Sequence, residues 1–216
     1  MIFDMHVHTA NISHCALVDA EKVALIYKQA GYDGIVITNH YHREFIEYMG
    51  GEYRRAAEKS VYEFKRAQGA AEKLNLKCFF GMEICLDSDN KNDNYEIEYL
   101  IYGLTEDFLL DNPDIIKLTQ RELYAICLSK GFSLYQAHPF RAYCRLADIN
   151  YLDGIESLNT NKRHYGHNDI AKKYAEIKNL RTVQGSDYHI LGDDIAKMRL
   201  PDNIKTNGEL AAFLRR

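Results

Sequence analysis

Tryptophan is absent from the 216 residues, proline occurs only three times and cysteine five times. Few prolines and no linker-like stretch leave no seam at which to divide the chain, so a single domain spanning 1–216 is expected. The cysteines, Cys15, Cys78, Cys85, Cys127 and Cys144, are odd in number and form no CxxC pair. That argues against a disulfide framework and fits reduced thiols in a cytoplasm. A basic surplus is also lacking, since 27 Lys and Arg against 31 Asp and Glu leave a net charge of −4. Long nucleic acid and anionic membranes are therefore unexpected partners. No run approaches the roughly 18 apolar residues of a membrane span. Met1 leads straight into Ile-Phe-Asp-Met-His with no basic or apolar leader, and a cytoplasmic location is expected. No GxGxxG or Walker glycine loop appears, so the nucleotide-binding open sheets lose support.

What is present is an alternation of apolar runs and helical patterns. Strands are predicted at 2–7, 34–38, 77–84, 96–104, 133–137, 154–158 and 181–184. Between them, a helix starts at Asp19 with Gly31 as its stop, and a longer one covers 53–74. Thr119 and Glu122 form a capping-box pair for a helix ending near Gly131, and another helix covers 168–178. Such a βα repetition implies parallel strands with helices outside, and an α/β barrel of about seven strands is the expected architecture.

The nine histidines carry the functional signal, because most of them end predicted strands. In Asp4-Met-His6-Val-His8 the period of two puts Asp4, His6 and His8 on one face, with the carboxylate free to orient the imidazoles. His14 follows in a polar loop. His40 ends the second strand, Glu83 the third and His138 the strand before Pro139 and Arg141, while Asp187 and His189 follow the last. A buried carboxylate such as Glu83 is costly unless paired or metal-bound. The C-terminal ends of barrel strands meet at one face, where barrel enzymes build their sites. Imidazole with carboxylate suits zinc, iron or manganese, and cysteines that form no CxxC pair do not suggest a structural thiolate site. Six histidines and two carboxylates exceed the demand of one ion, which points to a multinuclear centre able to activate water and clamp a phosphate ester.

These residues resemble the PHP (polymerase and histidinol phosphatase) superfamily of metal-dependent phosphoesterases. The motif DxHxHT stands as Asp4 to Thr9 and is extended by Ser13-His14. The usual TDH stands as Thr38-Asn39-His40, the G-x-E motif as Gly81-Met82-Glu83, HP as His138-Pro139, and GSDxH as Gly185 to His189. The resemblance implies a distorted (β/α)7 barrel and two to three divalent transition-metal ions, Zn, Mn or Fe. It implies one ion on His6, His8, Glu83 and Asp187, a second sharing Glu83 with His138, and a third on His14, His40 and His189. Two departures stand out. Asn39 replaces the usual aspartate, and no histidine lies between Glu83 and His138 where the family places another ligand. Leu100 or Thr105 occupies that place, depending on alignment.

The function expected from this resemblance is hydrolysis of a phosphomonoester by a metal-activated hydroxide, with a small phosphorylated substrate. Glu83 would bridge two ions and Arg141 would stabilise charge on the phosphate, both counting as catalytic; Arg141, His42 and Arg43 would touch the substrate. Asn159 could hydrogen-bond near the metals, and His164 and His167 are expected on a solvated loop. The alternatives are a phosphodiesterase or nuclease acting on nucleotides or short oligonucleotides, and a metal-binding module without chemistry.

Overall fold

Side chains alternate between two apolar environments along each strand, and that alternation builds the barrel. The computed structural model describes residues 1–89 and 96–215. β1 (Ile2–Val7), β2 (Gly34–Ile37), β4 (Lys77–Cys85), β5 (Glu98–Tyr102), β6 (Ser133–Gln136), β7 (Gly154–Asn159) and β8 (Arg181–Gly185) form one curved sheet, ordered β8-β7-β6-β5-β4-β2-β1. A short β3 (His40–Tyr41) extends the pairing along β4, and β9 (Met198–Arg199) runs antiparallel beside β1. β8 returns to β1 through a single bridge, Val7 to Tyr188, reinforced by the amide of Asp187 donating to the His6 carbonyl at 2.8 Å. The result is the α/β, nearly closed barrel expected from the sequence.

Outside the sheet pack α1 (Ala20–Gln29), α2 (Arg43–Tyr48), α3 (Tyr53–Lys73), α4 (Glu106–Asp111), α5 (Gln120–Lys130) and α6 (Asn168–Lys178). Ile35, Ile37, Phe80, Met82 and Ile101 face these helices together with Val23, Tyr27, Phe64 and Ala67. Phe3, Met5, Val36, Phe79, Leu100, Tyr102, Tyr135 and Val183 face inward, and α7 (Asn207–Leu214) closes that end of the interior with Leu210 and Leu214. Thr119 and Glu122 make both hydrogen bonds of the capping box, and Gly131 ends α5 in the left-handed conformation at φ 83°.

Two local departures from the expected regularity matter for the site. β5 is antiparallel to both β4 and β6, where a parallel strand was expected. The 12 residues separating β4 from β5 carry no crossover helix among the described residues, and a parallel return needs about that many residues or more, usually helical. In β1 the register with β2 shifts between Asp4 and Val7, so both Met5 and His6 turn inward. Asp4 accordingly points outward rather than sharing a face with His6 and His8. It accepts hydrogen bonds from Tyr27 Oη at 2.8 Å and from the amides of Ser186, Ala196 and His6. Its role is to tie β1 to α1 and to the segment after β8.

Candidate metal centre

The inward faces of the strands carry aromatic and aliphatic residues at one end and ligand atoms at the other. On β4 the inward series is Phe79, Gly81, Glu83, and Gly81 leaves room where any Cβ would fall 2.9 Å from the Ile101 carbonyl oxygen. Gly185 on β8 is under a stronger constraint, because a Cβ there would sit 2.2 Å from that of His6 and 2.6 Å from Glu156 Oε1. Only glycine lets β8 approach β1 closely enough to bring Asp187 and His189 beside His6 and His8. Two ligand-type residues, His138 (φ 23°) and Asp187 (φ 55°), take positive φ without being glycine. Such backbone costs of order 1–3 kcal/mol and persists where its surroundings over-determine it.

Glu83 stands at the centre of the cluster. Its Oε1 lies 3.2 Å from His6 Nε2 and 3.1 Å from His138 Nε2; its Oε2 lies 3.3 Å from His8 Nε2 and 3.0 Å from His40 Nδ1. Asp187 Oδ1 adds contacts of 3.6 Å to His6 Nε2 and 3.3 Å to His8 Nε2. The donor atoms of His6, His8, Glu83 and Asp187 therefore face one point, and those of His8, His40 and His189 face another. His6 and His8 present their Nε2 atoms to each other at 2.9 Å, and His40 and His189 do so at 3.3 Å. Glu83 Oε2 and His40 Nδ1 are buried against each other, 3.0 Å apart, and His8 Nδ1 is buried without a hydrogen bond. Converging imidazole nitrogens and an orphaned buried nitrogen are costly alone and are satisfied by cations, so this donor set fits divalent metal ions.

The electrostatics agree with a cluster of strongly coupled charge. Burial acts against the charged carboxylate of Glu83, yet His6 and His40 hold it well below the usual range. Burial likewise disfavours a charged His6, but Glu83, Glu156 and Asp187 push its pKa well above the ordinary imidazole value.

Several expected residues occupy other places. His14 is exposed, edge-on to Tyr48 with ring centroids 5.2 Å apart, and belongs to neither donor group. The neighbouring Cys15 reaches His40 and His189 instead. Burial would raise its thiol, but hydrogen bonds to these two histidines draw it down to about 5. Arg43 turns outward, pairing with Asp87 and donating to Tyr53 Oη at 3.0 Å. His42 lies beside His40, with ring centroids 5.1 Å apart, and its Nδ1 caps α2 by accepting from the Phe45 amide. Arg141 reaches the centre, donating to Asp187 Oδ2 and to Asn159 Oδ1. Asn39 spans to Thr9, accepting from its amide at 2.7 Å and donating to its hydroxyl at 2.9 Å.

Neither Leu100 nor Thr105 faces the ligands. Leu100 is buried in the apolar interior, and Thr105 caps α4 by accepting from the Phe108 amide. The carboxylate of Glu98, two residues before Leu100 on the same inward face, comes within 3.4 Å of His138 Nε2 and 4.0 Å of His40 Nδ1. Burial and the charge of Glu83 push its pKa up to about 7. Because β5 is antiparallel, its first residue and not its last lies at the ligand end, which a search of C-terminal strand ends passes over. Glu156 was also missed. It takes the orienting role assigned to Asp4, with Oε1 3.0 Å from His6 Nδ1 and Oε2 accepting from the His138 amide. Cys144 stands 3.6 Å from His138 Nδ1, so thiols do border the cluster, although no thiolate site was expected from the sequence.

Comparison with solved structures finds the same fold at low identity. A protein from Bifidobacterium adolescentis assigned as a metal-dependent phosphoesterase aligns with TM-score 0.58 at 14% identity, over 99% of this chain and 96% of its own. An amidohydrolase from Chromobacterium violaceum, with bound sulfate and no metal, aligns with TM-score 0.61 at 12% identity over 98% and 96%. PsfC from Pseudomonas syringae aligns with TM-score 0.63 at 17% identity over 96% and 86%. Comparison with curated proteins by sequence finds no match. The PHP domain family model matches residues 4–190, which spans every ligand-type residue from His6 to His189. The chain belongs to the PHP domain family.

Proposed function

We propose that this protein is a metal-dependent phosphoesterase whose substrate is the phosphomonoester of a small molecule. Membership of the PHP domain family supports a metal-dependent hydrolase. The observation that carries the finer reading is the juxtaposition of the buried His and carboxylate donors with the guanidinium of Arg141 at their rim. His6, His8, Glu83 and Asp187 would hold one ion, and His40 and His189 would contribute to another. Such ions supply Lewis-acid polarisation of a phosphoryl oxygen and lower the pKa of water near neutrality.

The protein's own groups prepare that chemistry. Glu156 engages His6 Nδ1 and so fixes the ring with Nε2 toward the cluster. Asp187 and Asn159 hold Arg141 in place, and the guanidinium retains further N–H donors for the non-bridging oxygens of a phosphate. The related amidohydrolase carries sulfate, a tetrahedral oxyanion of the same shape. A net charge of −4 and no basic surplus favour a small substrate over a polynucleotide.

Hydrolysis of p-nitrophenyl phosphate and of bis-p-nitrophenyl phosphate in the presence of Mn²⁺ tests this. The monoester should turn over faster. Preference for the diester would instead make the protein a phosphodiesterase, and no turnover of either by metal-loaded protein would leave a binding module.

A further inference from the structure

The two carboxylate oxygens of Asp187 face different neighbours. Oδ1 points to the Nε2 atoms of His6 and His8, whereas Oδ2 accepts from Arg141 Nη2. The backbone of this residue is left-handed, at φ 55°, a conformation that a non-glycine residue holds only where its surroundings fix it. Asn161, buried and two positions beyond the end of β7, supplies that fixing. Its Nδ2 donates to the main-chain carbonyl of Asp187 at 3.1 Å and to Oδ2 at 3.2 Å, clasping backbone and side chain together. His189 Nδ1 donates to the same carbonyl at 2.7 Å, which leaves its Nε2 facing His40. On the other edge, Asn161 Oδ1 accepts from the amide and from Nε of Arg163 at 3.0 Å and 3.2 Å. A side-chain amide has two N–H donors and two lone pairs, and all four are used here. An ionised aspartate of the same shape supplies no donor, and leucine supplies neither donor nor acceptor.

We propose that Asn161 is a positioning residue for the hydrolysis. By clasping Asp187 it turns Oδ1 alone toward His6 and His8 and keeps Oδ2 for Arg141, so one amide sets both a metal-ligating oxygen and the guanidinium beside it. Without the clasp the carboxylate is free to rotate, and Arg141 loses the fixed acceptor that orients it. The inference rests on the metal-dependent phosphoesterase reading. It adds the residue that ties the metal donors to the phosphate contact, on a loop where no motif marks it.

Three variants separate positioning from mere stitching of the loop. Asn161→Leu removes all four bonds at nearly constant volume. Asn161→Asp keeps the acceptor for Arg163, and so the hold on the loop, but loses both donors to Asp187. Arg163→Met removes a half-exposed side-chain partner and leaves the clasp intact. Each is compared with wild type in Mn²⁺ retention against a competing chelator and, at saturating Mn²⁺, in inhibition of p-nitrophenyl phosphate hydrolysis by inorganic phosphate. Both Asn161 variants should lose about tenfold in each readout, whereas Arg163→Met should stay within about threefold of wild type. Circular dichroism and urea midpoints confirm that each variant is folded, and Asn161→Ala replaces an Asn161 variant that is not. An Asn161 variant unchanged in either readout, or an Arg163→Met loss as large as theirs, overturns the proposal. A wild type that retains no Mn²⁺ or hydrolyses no ester overturns the reading beneath it, a distinguishable failure.

Discussion

Phe79 and Glu83 lie on the same inward face of β4, four residues apart, yet their surroundings share almost nothing. Phe79 stacks on Phe3 with ring centroids 5.4 Å apart, above an apolar layer closed by α7. Glu83 lies between the imidazoles of His6, His8, His40 and His138. The apolar half gains from being removed from water, and its contacts are complete within the chain. The ligand half loses hydration and recovers it only through charge pairing, shared protons or bound cations. One half of the interior holds the fold, and the other is held by it.

Substitutions at those two positions give the largest effects and should separate the halves. Glu83→Gln keeps shape but removes the charge shared by four imidazoles, and phosphate-ester hydrolysis should fall by at least about 10³-fold. Phe79→Ala should cost about 3–5 kcal/mol in urea unfolding, while metal content of the folded fraction stays near wild type. Comparable loss of metal from both would mean that the two halves are not separable.

A smaller effect is expected at Glu156. Glu156→Gln preserves an acceptor for His6 Nδ1 but not the charge, and metal affinity measured against a competing chelator should weaken by about tenfold. An unchanged affinity would show that His6 needs no charged partner behind it.

The smallest effect is one of pH on thermal stability. In the metal-free protein, burial and Arg141 act to lower His138, but Cys144, Glu83 and Glu98 prevail and raise it to about 10. His40 is likewise raised, by Glu83 and Cys15 against burial. A raised folded-state pKa stabilises fully below the unfolded value of roughly 6.5 and is lost as pH rises through the folded value. The metal-free protein should therefore lose this contribution between about pH 6.5 and 10. Metal binding has the opposite trend, because its ligands must be deprotonated. The gap in Tm between metal-loaded and chelator-treated protein should widen from pH 6 to pH 9. A gap that narrows would contradict the proton inventory of the cluster.

These contrasts also explain what could be read in the amino-acid sequence. His40, Glu83 and His138 follow short apolar runs, so position at a strand end was enough to single them out. The helix expected over 168–178 is α6 (Asn168–Lys178), and the Thr119–Glu122 box opens α5 as its side-chain chemistry requires. Asp4 was misplaced because an irregularity in β1 reverses the alternation that the period of two assumes. Glu98 was passed over because strand direction is set by the connection and not by local pattern, and β5 enters the sheet from the ligand end. Glu156 lies within β7 and not at its end, so only the closure of β8 onto β1 brings it to His6. Cys15 and Cys144 reach the histidines through loop paths that no spacing encodes.

The central claim is that the ligand half of the barrel interior is a multinuclear metal centre. Its most direct test is elemental analysis of protein purified without chelator, repeated after dialysis against Mn²⁺ and Zn²⁺ and removal of free metal. The account predicts at least about two tightly held transition-metal equivalents per chain, lost together on treatment with a strong chelator. A content near zero that stays near zero after incubation with both metals would contradict it.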